Sequence, residues 1–483
     1  MNLFQRLIYA AFFANYDATR FTTSRSFRPA PLQDSRLDLT KSHREVLQSK
    51  SRDYERNSEL YAKIADVWEQ YCVGTGIQFS SASKDKAWNM AADEVMAEWY
   101  PRADLQSRFG FENLQGIIAR SMFIDGEVFV LLTREGAYPR IQLVEAHRCK
   151  TPCDLQSEEG KTIVDGVRID QNGRPIGYYF INGDKFVLQD ASTVVHIFEP
   201  GRPGQFRGIP YATPALNTLH DLMDLRMLEM KASKDAAELS TIIYTQTGEM
   251  PAGLASMAQK FGSTTVASNG VTAQESKIQY YQNATGGRTL VAQSSDKIEQ
   301  HKSERPGTNT REYWRLLQSD VAAVCGTPLF LLYPESVQGT VARASLDAAS
   351  AFFRCKTSVL ATYFKRIRSY AIRAHATFDR RIANLPSDWE ATTSGTVRAP
   401  NVDIGRNSQA MLSELAAGTR TFTSVASELG LDGKKILEEK ADEARLIRQL
   451  AQDRGIDPSE ISNIVVEKPS RDSKEAQMEE EET

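Results

Sequence analysis

One stretch limits what this chain can fold into more than any other: Val195-His-Ile-Phe-Glu-Pro-Gly-Arg-Pro-Gly-Gln-Phe-Arg-Gly-Ile-Pro-Tyr-Ala-Thr-Pro-Ala215. Its first residues alternate as a strand does, its middle is Gly/Pro/Arg loop, and Thr213-Pro214 opens a helix, with threonine set to cap and proline at the first helical position. Beyond it Leu216, Leu219, Leu222, Met223, Leu228 and Met230 recur at helical spacing and predict one helix to about Leu239. At 1.5 Å per residue that is a strut on the order of 40 Å long. The chain is therefore divided at this loop, mixed α/β before it and mainly helical after it.

Upstream, residues 1–45 alternate aromatic, basic and Ser/Thr positions, with Pro29 and Pro31 breaking any helix, and read as an arm. Leu7–Ala14 reads as an amphipathic docking helix, since Arg6 alone precedes it and no small-x-small cleavage pair follows. Glu45 to Tyr71 predicts one helix, stopped by Gly74 and Gly76. Helices over 84–122 lead to strands at 126–132, 141–145, 163–170, 176–181 and 194–198, with Asn172-Gly173 as a hairpin turn.

Downstream, residues 241–306 are rich in Gly, Ser, Thr and Gln, with a strand-like piece at Ile278–Tyr281, and fit a small insertion between helices. Asn309 and Glu312 suggest a capping pair for a helix that Gly326 and Pro328 end. A loop follows, then one long or kinked helix from Val341 to Leu385, ended by Pro386. Two further helices are expected at 407–429 and 433–454, and the acidic, apolar-poor end at 470–483 is expected to be disordered.

Several classes of chemistry lack their motifs. There is no G-x-x-x-x-G-K-[ST], no G-x-S-x-G and no H-E-x-x-H, and the carboxylates do not cluster as a nuclease site would. His147, Cys149 and Cys153 have metal-ligand chemistry but no evident fourth partner, so a zinc site is weighed against reduced structural cysteines, and the second is preferred. Five dispersed cysteines make no disulfide framework and suit a reducing compartment. No run reaches the ~20 apolar residues of a membrane span, and a mean hydropathy of −0.41 agrees. The net charge of −4 argues against tight nucleic-acid binding. It leaves room for a conduit, because a wall that gripped phosphates strongly would slow their passage.

The order of these pieces resembles the portal proteins of tailed bacteriophages of the lambda type. The resemblance rests on Ser51-Arg52-Asp53 and Arg56-Asn57 on a helix, then Gly74-Thr75-Gly76-Ile77, then the loop with Gly201, Arg202, Pro203, Gly204, Arg207, Gly208 and Pro210. Asp125-Gly126-Glu127, Glu145-Ala-His147 and Gly173-Arg174-Pro175 add to it, as does the turn Cys325–Leu332, although an Asn-Tyr-Ser-Ser run expected near Thr340–Arg343 is missing. The resemblance covers about Ala14 to Leu385 and implies an α+β, mainly helical fold. Its expected parts are an arm (1–45), an α/β wing (46–209), a stem helix (210–240), a clip (241–306), a second stem helix (307–326), a tunnel loop (327–342), a long wing helix (343–386), a helical crown (387–468) and an acidic tail (469–483).

The resemblance also implies a non-enzymatic ring, a dodecamer at one capsid vertex, without cofactor or membrane. Double-stranded DNA would pass through it, with the terminase large subunit, capsid or scaffold protein and head–tail connector proteins as partners. The expected location is the virion, and the host cytoplasm during assembly. Residues expected near the bore are Lys231, Lys234, Gln338, Thr340 and Arg343. Arg343, Arg354, Lys356, Lys365, Arg366, Arg368, Arg373, Arg380 and Arg381 on the long helix are expected to meet acidic faces of a neighbouring subunit, or in part DNA phosphates. Two other readings stand beside this one: a phage-encoded DNA-processing hydrolase with a divergent site, and an assembly scaffold without a pore.

Overall fold

The computed structural model describes residues 32–152, 162–245, 264–265, 279–282, 288–293, 308–333, 340–395, 397, 404–428 and 433–456. Most of the expected arm, the tip of the expected tunnel loop with Gln338, and the acidic tail lie outside the described residues. The chain is first described ahead of a one-turn helix, α1 (Ser35–Asp38), and α2 (Lys41–Asn57) follows, so the arm region ends in helix before residue 45. The single helix expected from Glu45 to Tyr71 is two, α2 and α3 (Glu59–Cys72). Ser58 separates them with extended backbone: its amide closes α2 on the Tyr54 carbonyl, and its hydroxyl caps α3 by accepting from the Tyr61 amide. Serine is suited to that position because its side chain satisfies an orphan amide at a helix start. Gly74 (φ 59°) and Gly76 (φ 114°) then turn the chain, in backbone conformations that cost other residues dearly.

A short strand, β1 (Phe79–Ser81), precedes α4 (Lys86–Trp99) and α5 (Phe111–Ile124). Next come β2 (Glu127–Glu135) and β3 (Tyr138–Glu145), then β4 (Thr162–Val164) and β5 (Val167–Ile169). The single strand expected at 163–170 is thus a hairpin, turned by Asp165 and Gly166 with φ of 46° and 85°. β6 (Pro175–Asn182) follows the expected Asn172-Gly173 turn, in which the Asp170 carboxylate accepts from the amides of Asn172 and Arg174. β7 (Lys185–Asp190), which the sequence reading omits, precedes β8 (Val194–Phe198). One sheet has the order β3-β2-β8 and the other β4-β5-β6-β7. Phe129, Val144, Val194, Tyr178, Phe180, Val167 and Ile169 join the two sheets in a small core. Val128 and Val130, neighbours of Phe129 on β2, belong instead to the large core with α3, α4 and α5. Alternation along one strand thus serves two cores.

The strut is present as α6 (Leu216–Glu238). Its start differs from expectation: Thr213 donates its hydroxyl to the Pro210 carbonyl, and no side chain caps the 3-10 turn Thr213–Ala215. β9 (Leu239–Thr245), β10 (Thr264–Thr265), β11 (Gln279–Gln282) and β12 (Arg288–Gln293) form a sheet of order β10-β11-β12-β9 beyond it. The return helix α7 (Thr308–Val324) already includes Asn309, so that residue is not its cap. Gly326 (φ 62°) ends it, with the Thr327 amide bonded back to the Ala322 carbonyl.

After the turn α8 (Leu329–Leu332) comes α9 (Thr340–His375). It ends at His375 rather than near Pro386, because Thr377 bonds back to the Ala374 carbonyl and Asp379 accepts from the Arg381 amide, together building a turn. Its inner face, with Phe353, Leu360, Phe364, Ile367 and Ala371, crosses the large core. β13 (Thr392–Ser394) returns to pair antiparallel with β1. The helix expected at 407–429 is divided into α10 (Ile404–Ala416) and α11 (Phe422–Glu428) by Gly418 at φ 71°, before α12 (Gly433–Arg454).

Candidate functional site

The organising loop folds back over the start of β2, and the contact is backbone on backbone. A Cβ placed on Gly208 would lie 2.1 Å from the Gly126 carbonyl oxygen, and one on Gly126 would lie 2.0 Å from the Ile209 carbonyl carbon. Only two glycines permit that approach. It brings the Gly208 amide to Glu127 Oε2 at 2.8 Å and lays Arg207, 2% exposed, along the same carboxylate at 2.6 Å from Nη2 to Oε1. Arg207 also donates to the carbonyls of Ala146 and Cys149 and to that of Asp165, and its guanidinium lies over the Phe129 ring.

The remaining charges around Glu127 are equally enclosed. Arg44 from α2 donates to Asp165 Oδ2 at 2.5 Å and to Gln48 Oε1 at 2.7 Å, while Gln48 donates onward to the Asp125 carbonyl. His196 from β8 bonds Glu127 Oε2 at 2.9 Å and stacks between Phe129 and Phe198, each ring centroid 4.3 Å away. Two guanidinium groups and two carboxylates balance, so with a neutral His196 the cluster carries no net charge. Burial raises the Glu127 carboxyl, but the field of Arg207 and the His196 hydrogen bond outweigh it and hold the group well below the usual carboxylate range. Burial lowers His196, against the opposing pull of Glu127. Such a cluster is fully satisfied only when α2, β2, the β4–β5 turn, β8 and the loop are all in place.

The neighbouring motif residues serve the same junction. Ser51 donates to the Ile124 carbonyl at 2.6 Å, and Arg52 grips Asp125 at 2.7 Å through both Nε and Nη2. The helix motif therefore clamps the residues just before Gly126. Asp53 accepts from Asn57 on the exposed side of α2. At the loop's tip, Arg202 pairs with Asp38 and donates to the Gln33 carbonyl, Gly204 passes so close to Ser35 that a Cβ would lie 2.9 Å from its Oγ, and the Gly201 amide donates to Gln205. Pro210 is buried and supplies the acceptor for Thr213.

The basic helix corrects an expectation. Lys356 bonds Glu199 at 2.6 Å and sits over Tyr211; Arg368, fully buried, bonds Asp93 at 2.7 Å and Ser81; Arg373 pairs with Glu390 and Arg381 with Glu98 and Asp379. Arg366 donates to the Val194 carbonyl. These bases meet partners within their own chain: α9 passes Glu199 and the α4 acid Asp93, and Arg381, in the turn beyond α9, reaches Glu98 of α4. Arg343 has no described side chain.

Cys149 lies buried under Arg207, and burial pushes its thiol up to about 12; Cys325 rises likewise to about 12. Neither has the character of a nucleophile. His147 is half-exposed and faces Glu145, and Cys153 lies outside the described residues. Among the described residues no group of three or more His, Cys, Asp or Glu side chains is arranged to hold a metal.

The paired helices α6 and α7 present a different surface. Leu216, Leu219 and Leu222 are buried in the large core, but farther along Met227 (68% exposed), Leu228 (63%) and Met230 face out, as do Tyr313 and Leu316 on α7. Lys231 and Lys234 are exposed on that part of α6. Asp235 and Glu238 have side chains outside the described residues, and so has Thr340 at the start of α9. Of the bore candidates only Lys231 and Lys234 have described side chains, both exposed on α6, whereas the loop motif residues converge on one junction. Sequence reading singled out Arg207 and Gly208 but missed Glu127, Arg44, Asp165 and His196 as their partners. The available signal was an acid directly after a strand-opening glycine matched by an Arg-Gly pair in the loop.

These features describe an α+β protein, a folded body from which the paired helices α6 and α7 lead to a small sheet. The family pattern described as "Phage portal protein, lambda family" matches residues 23–351, and the chain belongs to that family. The "Probable portal protein" of Halomonas phage phiHAP-1 is 25% identical over 230 residues, a stretch that spans 42% of this chain and 44% of that protein. Among solved structures, a chain from the virion of a native gene transfer agent particle has a TM-score of 0.46 at 12% identity, over 80% of this chain and 93% of its own. A chain from the neck of the native particle, computed with C12 symmetry, has a TM-score of 0.47 at 10% identity, over 81% and 94%. No described helix is long and apolar enough to cross a membrane.

Proposed function

We propose that copies of this chain close into a ring at one capsid vertex, with the stems surrounding a channel through which double-stranded DNA enters during packaging and leaves on ejection. The observation that carries this reading is the apolar surface of the stem at Met227, Leu228, Met230, Tyr313 and Leu316. Large apolar side chains exposed on two neighbouring helices call for cover, and a head-to-tail contact that closes on itself covers them in every copy. Membership of the portal family supports the same reading. Twelve copies are the number this assignment implies, with the terminase large subunit, capsid or scaffold protein and head–tail connector proteins as partners. The ring's place is the virion, and the host cytoplasm while it assembles. It is a conduit, and another chain hydrolyses the ATP that drives packaging.

Negative-stain images of the purified protein at micromolar concentration are expected to show rings with a central hole, and a strictly monomeric species overturns the assignment. Lys231 and Lys234 are the bore residues we assign to DNA. Each phosphate contact on B-DNA adds roughly −0.9 to the slope of log affinity against log salt, so a few cations per copy can centre a duplex and release it. Reversing both to Glu is expected to leave rings intact and reduce the DNA retained after packaging; full retention removes them from that role.

A further inference from the structure

A cleft of about 810 Å³ opens where α9 passes the start of β6 and the turn from β7 to β8. None of its lining residues belongs to α6, to α7 or to the charge cluster around Glu127. Its apolar lining includes Leu132 from β2, Ile176 from β6 and Val194 from β8. Tyr178, two residues beyond Ile176 and so on the same face of β6, also lines it and is only 5% exposed. Phe129 and His196 hold its ring edge-on, each with its centroid 5.6 Å away. The Tyr178 hydroxyl has no hydrogen-bond partner among the described residues. Burial pushes it up to about 12, so at neutral pH it keeps its proton and can donate. Buried polar groups are nearly always paired, and this one faces a cleft with its donor unused.

The charges of the cleft divide into committed and spare. Asp170 accepts from the amides of Asn172 and Arg174, Asp190 accepts from the Ser192 amide, and Glu390 pairs with Arg373 at 3.3 Å. Arg174 and Arg366, both exposed, are less engaged. The Arg174 guanidinium has no partner among the described residues, and Arg366 reaches only the carbonyls of Ala191 and Val194, at 3.5 and 3.4 Å. Those lengths lie at the limit of a hydrogen bond, so most of the donor capacity of both groups is unused.

Three arginines and three carboxylates leave the cleft without net charge. A nucleic-acid backbone laid in it would meet Asp170, Asp190 and Glu390 as well as the arginines. What is spare is all donor, two guanidinium groups and a phenol beside an apolar wall. A carboxylate next to an apolar group fits that set, since guanidinium groups pair with carboxylates through two parallel bonds, and ligand sites combine apolar lining with a few converging polar groups. The cleft opens to solvent, and its volume is toward the upper end of the roughly 300–1,000 Å³ usual for ligand sites, which suits a chain passing through.

We propose that this cleft binds an acidic peptide segment of a partner protein. An aliphatic or aromatic side chain of the segment lies against Leu132, Ile176 and Val194, and a neighbouring Asp or Glu carboxylate is held by Arg174, Arg366 and the Tyr178 hydroxyl. This contact is separate from the channel and stands whether or not copies close into a ring.

Selection of a randomised short-peptide library on the full-length protein, followed by fluorescence anisotropy with the selected peptides, tests this. Selected sequences are expected to carry Asp or Glu beside Phe, Tyr, Leu or Ile. Their affinity is expected to fall about tenfold with Arg366→Glu and about as much with Arg174→Glu, as the loss of a charge-assisted hydrogen bond requires. Tyr178→Phe is expected to weaken binding about threefold, the effect of one neutral donor. A selected peptide with its acid replaced by Arg is expected to regain affinity for Arg366→Glu, which decides the matter should that substitution disturb the body. A selection that yields no acidic consensus overturns the proposal, as does binding indifferent to Arg174 and Arg366. A short DNA duplex that displaces the peptides, and whose own binding is lost with the same substitutions, overturns the peptide assignment in favour of nucleic acid. Displacement by phenylacetate at equal concentration overturns it in favour of a small carboxylic acid.

Discussion

The junction around Glu127 and the lower stem are built on opposite terms. At the junction five elements deliver buried charges that close on each other, and nothing is left over for a partner: Arg207, Arg44, Glu127, Asp165 and His196 meet only groups of their own chain. On the stem the apolar stripe begins inside the core at Leu216 and continues into solvent at Leu228 and Met230. The first arrangement makes α2, β2, β8, the β4–β5 turn and the loop one unit, since removing any of its charged members strands a buried charge. The second leaves an apolar surface that the single chain does not cover. The difference teaches where to look for assembly: in side chains whose local pattern is right for burial but which the single chain does not bury.

Glu127→Ala breaks this contrast most severely. It leaves two guanidinium groups facing one carboxylate in the dry interior, and removing one partner of a buried pair costs about 3–5 kcal/mol. Denaturant unfolding is expected to show that loss, and a change below about 1 kcal/mol would mean that the junction is held by its backbone contacts alone.

Gly208→Ala follows. Its added Cβ would sit 2.1 Å from the Gly126 carbonyl oxygen, and relief by backbone shift costs about 1–3 kcal/mol. Gly208→Val, bulkier still, is expected to impair folding or ring formation, and a normal yield of rings from it would remove the close approach from the account.

Acid sharpens the contrast at intermediate scale. Burial lowers His196 in the folded chain, so just below its unfolded pKa of about 6.5 the unfolded state takes up a proton that the folded state refuses. Stability therefore falls as pH drops from 7 toward 5, by at most about 1.4 kcal/mol per unit for this group. Glu127 has the depressed carboxylate case: its contribution is complete above about pH 4.3 and disappears as pH falls toward its folded value. Thermal melting of His196→Gln, which keeps a donor to Glu127, is expected to show a shallower slope between pH 7 and 5 than the wild type. An unchanged slope would assign it to the other histidines.

The smallest effect on the fold is expected from Met227→Glu with Leu228→Glu. Both side chains are exposed, so unfolding free energy should move within about 0.5 kcal/mol. Ring formation, followed by mass photometry, should nevertheless be lost. Intact rings would return the stem face to ordinary solvent-exposed surface.

Local pattern carried much of this protein. The strand, Gly/Pro/Arg loop and strut from Val195 to Glu238 were legible, because periodicity and glycine placement are set by the backbone itself. So were the turns at Gly74, Gly76, Gly173 and Gly326, each with positive φ. Boundaries set by a single residue were not: Ser58 splits one helical run, Gly418 another, and a turn at Asp379 ends α9 before any proline does. β7 escaped notice because its apolar residues run consecutively instead of alternating.

Sequence by itself determined the family and most of the order of elements, with β7 and the β4–β5 hairpin excepted, and it singled out Arg207 and Gly208 in the loop. Only the tertiary structure decided what the charges do. The bases of α9 look like a free cationic face when read along the helix, yet Lys356 finds Glu199 and Arg368 finds Asp93. The attraction between two charges depends on their separation in space, and separation along the chain says nothing of it until the fold has brought the partners together.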